Sequence, residues 1–232
     1  MRHVCVFDVN ETLLDVAALD PFFARIFGEA EARREWFEQM IQSALTSTVV
    51  DQYAAFGTIG AAALKMVAAR RSVTLPLEAP HELAQGIRTL PPHADVFNSL
   101  EQLRAAGMRL AALTNSTQDV AEAQVSHASL RGYFEQVLSA DAVRRLKPAV
   151  EPYRYAAERM GVGTGDCWLI AAHAWDIAGA LHAGCAAAFV ARPGKVLDPL
   201  APAPQAMGAS LPQVVEQIIA LEAASQEGTV ER

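Results

Sequence analysis

Five short apolar runs, each followed by polar residues, constrain the fold of this chain more than any other feature. They fall at Val4–Phe7, Arg109–Leu113, Gln136–Leu138, Cys167–Ile170 and Ala187–Val190. Their length and near-continuous apolar character fit strands buried on both faces of a parallel sheet. Helix-like stretches lie between them, at Ala94–Ala106, Thr117–His127, Val150–Met160 and Trp175–Ala183. Gly107 and Gly184 stand where helix-terminating glycines belong. Strand alternating with helix specifies the α/β class and a doubly wound parallel sheet.

The segment 17–81 breaks that rhythm. It is helix-rich, with stretches at Pro21–Phe27, Glu31–Leu45 and Asp51–Ala69 followed by a polar stretch. Trp36, Phe37, Met40, Ile41 and Leu45 recur at helical spacing, so one face is buried. The simplest division is a core of 1–16 with 82–232 and an all-helical insertion of 17–81. Leu75–Pro80 and the Pro91-Pro92 pair read as loops or hinges. A last helix is expected near Leu211–Ala223, with the final residues frayed.

Composition excludes several function classes. Hydrophobic residues are 52% of the 232 and charged residues 19%, too apolar for a disordered chain. A net charge of -7 without a basic block argues against nucleic acid as a partner. The first apolar run is too short for a signal peptide or a membrane span. Cys5, Cys167 and Cys185 form no CxxC pair, which suits reduced thiols. A soluble cytoplasmic protein is expected.

The polar residues after the runs carry the chemical signal. Asp8 follows the first run, in Asp8-Val-Asn10-Glu-Thr12-Leu. Taken alone, an Asp there is a nucleophile, a metal ligand or a helix cap, and the cap reading prevails. It is not alone. The second run ends at Thr114-Asn115. The third is followed by Lys147-Pro148, with Tyr153 six residues past the lysine, and the fourth by His173-Ala-Trp175-Asp176. Open α/β sheets hold ligands at the carboxyl ends of their strands, so these groups converge over one crevice.

This layout resembles the haloacid dehalogenase superfamily, and within it the metal-independent type II 2-haloacid dehalogenases. Asp8-x-x-x-Thr12-Leu resembles the nucleophile motif, and Thr114-Asn115 the Ser-Asn of the second motif. Lys147-Pro148 with Tyr153 matches Lys-Pro-x-x-x-x-Tyr, and His173-Ala-Trp-Asp176 resembles Asn-Ala-Trp-Asp. Ser126-His127-Ala128-x-Leu130 is a further familiar stretch. The resemblance implies a Rossmann-like core with an inserted helical cap, a homodimer, and no metal or organic cofactor. It implies SN2 attack by Asp8 on the halogen-bearing carbon, then hydrolysis of the aspartyl ester. Lys147 would keep Asp8 ionised and help hold the substrate carboxylate; Asp176 would orient Lys147 or help activate water. Thr12 and Thr114 offer hydroxyls, and the amides of Val9 and Asn10 can bind the carboxylate. Phe37, Ile41 and Phe56 would exclude bulk water.

The sequence also departs from the pattern. The cap Arg that usually follows a Trp is replaced in Trp36-Phe37, the aromatic two residues after the nucleophile is Asn10, and Ser-Ser-Asn becomes Ala171-Ala172-His173. Halide release is therefore expected to use hydrogen bonds from Asn115, His173 and Trp175, a compact cluster suited to haloacetates, fluoroacetate included, and 2-halopropionate. Two alternatives compete. The superfamily's phosphatases resemble this chain at Asp8, yet Asn10 stands where their second Asp acts as general acid. Ala172 stands where they commonly place a Mg²⁺ ligand, leaving Asp8 and Asp176 a thin anionic site. The other alternative is a catalytically idle protein of this fold. Gly161-Val-Gly163-Thr-Gly165 follows a helix, so it reads as a turn and not a nucleotide loop. His3, His81, His93 and His182 lack partners at metal-ligand spacing.

Overall fold

The structure, a computed structural model, describes residues 2–230, with side chains described through 225. Six strands form one sheet: β1 (Val4–Phe7), β2 (Arg109–Thr114), β3 (Gln136–Ser139), β4 (Cys167–Ala171), β5 (Ala186–Val190) and β6 (Ala206–Gly208). Their order is β3-β2-β1-β4-β5-β6, and every neighbouring pair is parallel. Val4 of the central strand lies opposite Arg109 on one side and Cys167 on the other. Successive strand residues point to opposite faces. Cys5, Phe7, Leu110, Ala112, Trp168 and Ile170 therefore feed one core, and Val4, Val6, Ala111, Leu113 and Leu169 the other.

Nine helices are described: α1 (Asp20–Phe27), α2 (Ala32–Val49), α3 (Phe56–Arg70), α4 (Ala79–Arg88), α5 (Val96–Ala105), α6 (Gln118–His127), α7 (Val150–Arg159), α8 (Ala174–His182) and α9 (Leu211–Val230). Helices α7 and α8 cover the face of Val4 and Val6; α5, α6 and α9 belong to the core on the other. The inserted helices join that second core through Trp36, Phe37, Met40, Phe56 and Leu64. Helix α2 packs on α3 at Gly60, whose carbonyl accepts from Trp36 Nε1 at 2.8 Å. A Cβ at Gly60 would sit 3.0 Å from Met40 Sδ, so glycine permits the close approach.

The five expected strands are present, extended by a residue in places. Strand β6 is an addition: Ala-Met-Gly has no β-branched residue and lies in a proline-rich tail. It is fixed by context, since Gln217 of α9 bonds the N–H and carbonyl of Met207 at 3.1 and 2.8 Å. Helix α4 is another addition. Its proline, Pro80, sits in the first turn, where proline starts a helix and does not break one. This helix runs across position 81, the end of the insertion that the sequence suggests. Helix α3 begins at Phe56 and not Asp51, because Asp51 adopts a left-handed φ of 56°. The fraying expected of the last residues falls on 231 and 232, outside the described residues. No helix among the described residues is long and apolar enough to cross a membrane.

Candidate active site

The loop after β1 is the foundation of the site. Asp8 donates its backbone N–H to Ile170 O of β4 at 3.0 Å. The loop then folds back, with Leu13 and Leu14 donating to Val9 O at 2.9 and 3.0 Å. Glu11 takes a left-handed φ of 63°, uncommon for a residue with a Cβ and costly unless its surroundings enforce it. Arg192, just beyond β5, donates to Thr12 O through Nε at 3.2 Å and Nη2 at 3.0 Å, and Asp95 holds its Nη1 at 2.8 Å. A buried guanidinium thus pins the loop that carries Asp8.

Both oxygens of Asp8 receive donors. Lys147 Nζ lies 2.9 Å from Oδ1. Thr12 Oγ1 donates to Oδ2 at 2.6 Å, and His173 Nδ1 stands 3.2 Å from the same oxygen. Thr12 Oγ1 is itself aimed by the N–H of Ala172 at 2.9 Å. Burial alone would raise the Asp8 pKa, but Lys147, His173 and Thr12 outweigh it and hold the carboxyl well below the usual range. Lys147 is fully buried and directs its three N–H bonds to Asp8, to Leu113 O at 3.0 Å and to Asp176 Oδ2 at 2.6 Å. Burial disfavours the ammonium, yet Asp176 and Asp8 together raise its pKa. Tyr153 donates to Asp176 Oδ1 at 2.6 Å. Burial raises the Asp176 carboxyl against the lowering effect of Lys147.

His173 forms the opposite wall. Its Nε2 lies 2.8 Å from Glu11 Oε2, so each ring nitrogen faces a carboxylate. Burial lowers its pKa, but bonds to Asp8 and Glu11 prevail and raise it, which favours imidazolium. The ring is stacked between Phe37, 5.7 Å away at 15°, and Trp175, 5.0 Å away at 22°. Lys195 Nζ reaches Glu11 Oε2 at 2.5 Å and lies 5.3 Å from the Phe37 ring centre.

Two expectations require correction. The donor cluster for halide is not assembled as foreseen. Both nitrogens of His173 are engaged by carboxylates, and the Asn115 amide clamps the main chain of Lys147, accepting from its N–H at 2.8 Å and donating to its carbonyl at 3.3 Å. The Trp175 ring faces His173 and Lys147. Lys147 has no N–H left for a substrate carboxylate, since its three are used. Likewise Asp176, locked between Lys147 and Tyr153, orients the lysine.

The remaining predicted residues are spread more widely. Val9 is buried in the loop, and Thr114 Oγ1 accepts from Ser116 N at 3.2 Å. Asn10 accepts from Gln124 Nε2 at 2.8 Å and donates to Ser116 Oγ at 3.5 Å. Asn10, Phe37 and Phe56 line a cavity of about 80 Å³ with Trp36, Met40 and Ser116. That is room for a few heavy atoms. Ile41 is not among its lining residues and packs against the apolar core. Asp8, Lys147 and His173 also lie outside the lining, although Phe37, which lines it, stacks on His173. Among the described residues no group of three His, Cys, Asp or Glu side chains is placed to hold a metal ion.

A family model described as haloacid dehalogenase-like hydrolase matches residues 3–184. The chain belongs to that family. The chain is therefore an enzyme of the hydrolase class. The chain is similar to an (S)-2-haloacid dehalogenase of Pseudomonas sp. (strain YL), 28% identical over 214 residues, 90% of this chain and 91% of that one. Haloacetate dehalogenase H-2 of Moraxella sp. (strain B) is 26% identical over 200 residues, covering 85% and 89%. A solved L-2-haloacid dehalogenase at 27% identity superposes with a TM-score of 0.88, covering 92% of this chain and 97% of that one. An L-2-haloacid dehalogenase of Xanthobacter autotrophicus with chloropropionic acid covalently bound has a TM-score of 0.87 at 23% identity, covering 94% and 98%, a likeness of fold.

Within this haloacid dehalogenase-like hydrolase, sequence reasoning missed Glu11, Arg192, Lys195 and Gln124. Glu11 occupies an unspecified position within the first motif, the others lie outside the motifs, and all four acquire their contacts through long-range packing. A supporting position was missed too: Gly179 in α8, where a Cβ would sit 2.5 Å from Pro148 Cβ and 2.6 Å from Tyr153 Oη. Gly179→Ala is therefore expected to cost about 1–3 kcal/mol in urea unfolding and to push Tyr153 off Asp176. Wild-type stability in that variant would contradict the packing described.

Proposed function

We propose that the chain hydrolyses the carbon–halogen bond of short 2-haloalkanoic acids, a haloacetate or 2-halopropionate, fluoroacetate included, through an ester on Asp8. The observation that carries this reading is the buried Asp8 carboxylate, held 2.9 Å from a buried ammonium. Relatives named as 2-haloacid and haloacetate dehalogenases over nearly the whole chain support the substrate class. Oδ1 accepts only from Lys147 among the bonds described, so it keeps a lone pair for displacement of halide, while Oδ2 becomes the ester carbonyl. The amides of Val9 and Asn10 receive the substrate carboxylate, and Thr114 and Asn115 fix the strand end and Lys147 beside it. Residues 17–81 act as cap over a core of 1–16 with 82–232. No step is assigned to a metal or cofactor. Three buried free thiols support a reducing, cytoplasmic setting.

The test is turnover of (S)-2-chloropropionate and chloroacetate, following chloride and 2-hydroxy acid with and without EDTA. Equal release of both, indifferent to EDTA, is expected. Phosphate-ester hydrolysis that EDTA abolishes, with no chloride released, would contradict the reading in favour of a phosphatase. A pH prediction accompanies it. The depressed Asp8 pKa keeps the attacking carboxylate ionised in acid. Single-turnover halide release should stay level as pH falls from about 7 to about 5, well above the usual Asp range near 4. A steep loss over that interval would contradict the assignment.

A further inference from the structure

We propose that His173 and Thr12 form an oxyanion hole on Asp8 Oδ2 for hydrolysis of the ester, with Glu11 as the positioning residue that holds His173 in place. This deepens the dehalogenase reading and rests on it. The donors are already aimed: Thr12 Oγ1 at 2.6 Å and His173 Nδ1 at 3.2 Å, both on Oδ2 and neither on Oδ1. Attack through Oδ1 leaves Oδ2 as the carbonyl oxygen facing these two donors. Water then adds to Cγ, and the carbonyl electron pair moves onto Oδ2. On collapse the Cγ–Oδ1 bond breaks, and Oδ1 leaves as the product hydroxyl, protonated by Lys147. The water oxygen stays on Asp8. One water proton replaces the one given up by Lys147, and the other goes to solvent.

Glu11 matters because alkylation erases the charge on Asp8. A cation held by Asp8 alone would lose its partner at the step where it is needed. Nε2 keeps Glu11 at 2.8 Å, and Phe37 from α2 and Trp175 from α8 fix the ring plane. The charged groups around His173 are Asp8 and Glu11 in contact. Lys195, 2.5 Å from Glu11 Oε2, and Arg33, 3.9 Å from Glu11 Oε1, act through Glu11, and Lys147 lies across the Trp175 ring. Burial would raise the Glu11 pKa, but His173 and Lys195 outweigh it and lower it, so Glu11 stays anionic. The raised His173 pKa agrees with a cation in the resting site. The left-handed backbone of Glu11 is the local strain that aims its carboxylate at the ring.

The experiment is a single turnover of (S)-2-chloropropionate by wild type and His173→Ala, with chloride, 2-hydroxy acid and the mass of the Asp8 peptide followed together. Loss of an oxyanion donor predicts ester hydrolysis slower by about 10²–10³-fold. Halide release should fall less than tenfold, by order of magnitude, because the imidazolium stabilises the attacking carboxylate as well. The Asp8 peptide should then carry the ester mass. Hydroxy acid appearing in step with chloride, with no ester, overturns the proposal while leaving the dehalogenase reading intact. Absence of chloride from wild type overturns both. Glu11→Gln, which keeps a hydrogen-bond acceptor, guards against misfolding of the first variant. Its hydrolysis should lose rate at lower pH than wild type as His173 deprotonates more easily; an unmoved alkaline limb overturns the role of Glu11.

Discussion

Asp8→Asn should abolish halide release, by at least about 10⁴-fold in kcat, a loss of the size seen when a nucleophile is removed. An amide at this position has no negative charge to displace halide. Its NH₂ would also face either the Lys147 ammonium or the Thr12 and His173 donors. The effect belongs to kcat, because the bond-forming atom is lost while the apolar pocket of Phe37 and Phe56 is untouched. Chloride release by stopped-flow or ion chromatography checks it. Activity within tenfold of wild type would show that Asp8 does not attack, and equal lack of activity in both proteins would mark an idle fold.

Lys147→Met should have the second-largest effect, on both activity and stability. Lys147 lies between two buried carboxylates, and removing it leaves both without their shared cation. Breaking a buried ionic pair from one side costs about 3–5 kcal/mol. Halide release should fall by about 10³-fold or more, since preorganised electrostatic groups carry that much. The pH dependence has a definite sign. Without the ammonium, burial raises the folded-state pKa of Asp176 further and the depression at Asp8 is weakened, so the variant's folded state binds more protons than that of wild type. The stability deficit should therefore shrink as pH falls, which urea unfolding at several pH values will show. A variant as stable as wild type near neutral pH would contradict the electrostatic arrangement.

The sheet and the motif residues were legible in the sequence for a common reason. A buried parallel strand must be apolar throughout, and the polar residue after it stands out against that background; Phe7-Asp8 and Leu113-Thr114 are such steps. Asp8, Thr12, Lys147, Tyr153 and Asp176 form one hydrogen-bonded cluster because the topology gathers those strand ends. What the sequence hid depends on distance along the chain. Glu11 becomes part of the site only through a left-handed turn, and Lys195 arrives from 184 residues away. His173 stood in view, but its orientation did not: a histidine offering an N–H to halide and one held by two carboxylates look the same in a sequence. Helix α4 was obscured because its buried face is narrow, with Ala79 and Leu83 its only fully buried side chains.

The most direct measurement is one turnover of (S)-2-chloropropionate in ¹⁸O-water with enzyme in excess, followed by mass spectrometry of the Asp8 peptide and of the product. Attack by Asp8 predicts one ¹⁸O atom in the Asp8 carboxylate and an unlabelled 2-hydroxy acid. Label in the hydroxy acid from that first turnover, with Asp8 unlabelled, would mean that water attacks carbon directly and would contradict the account.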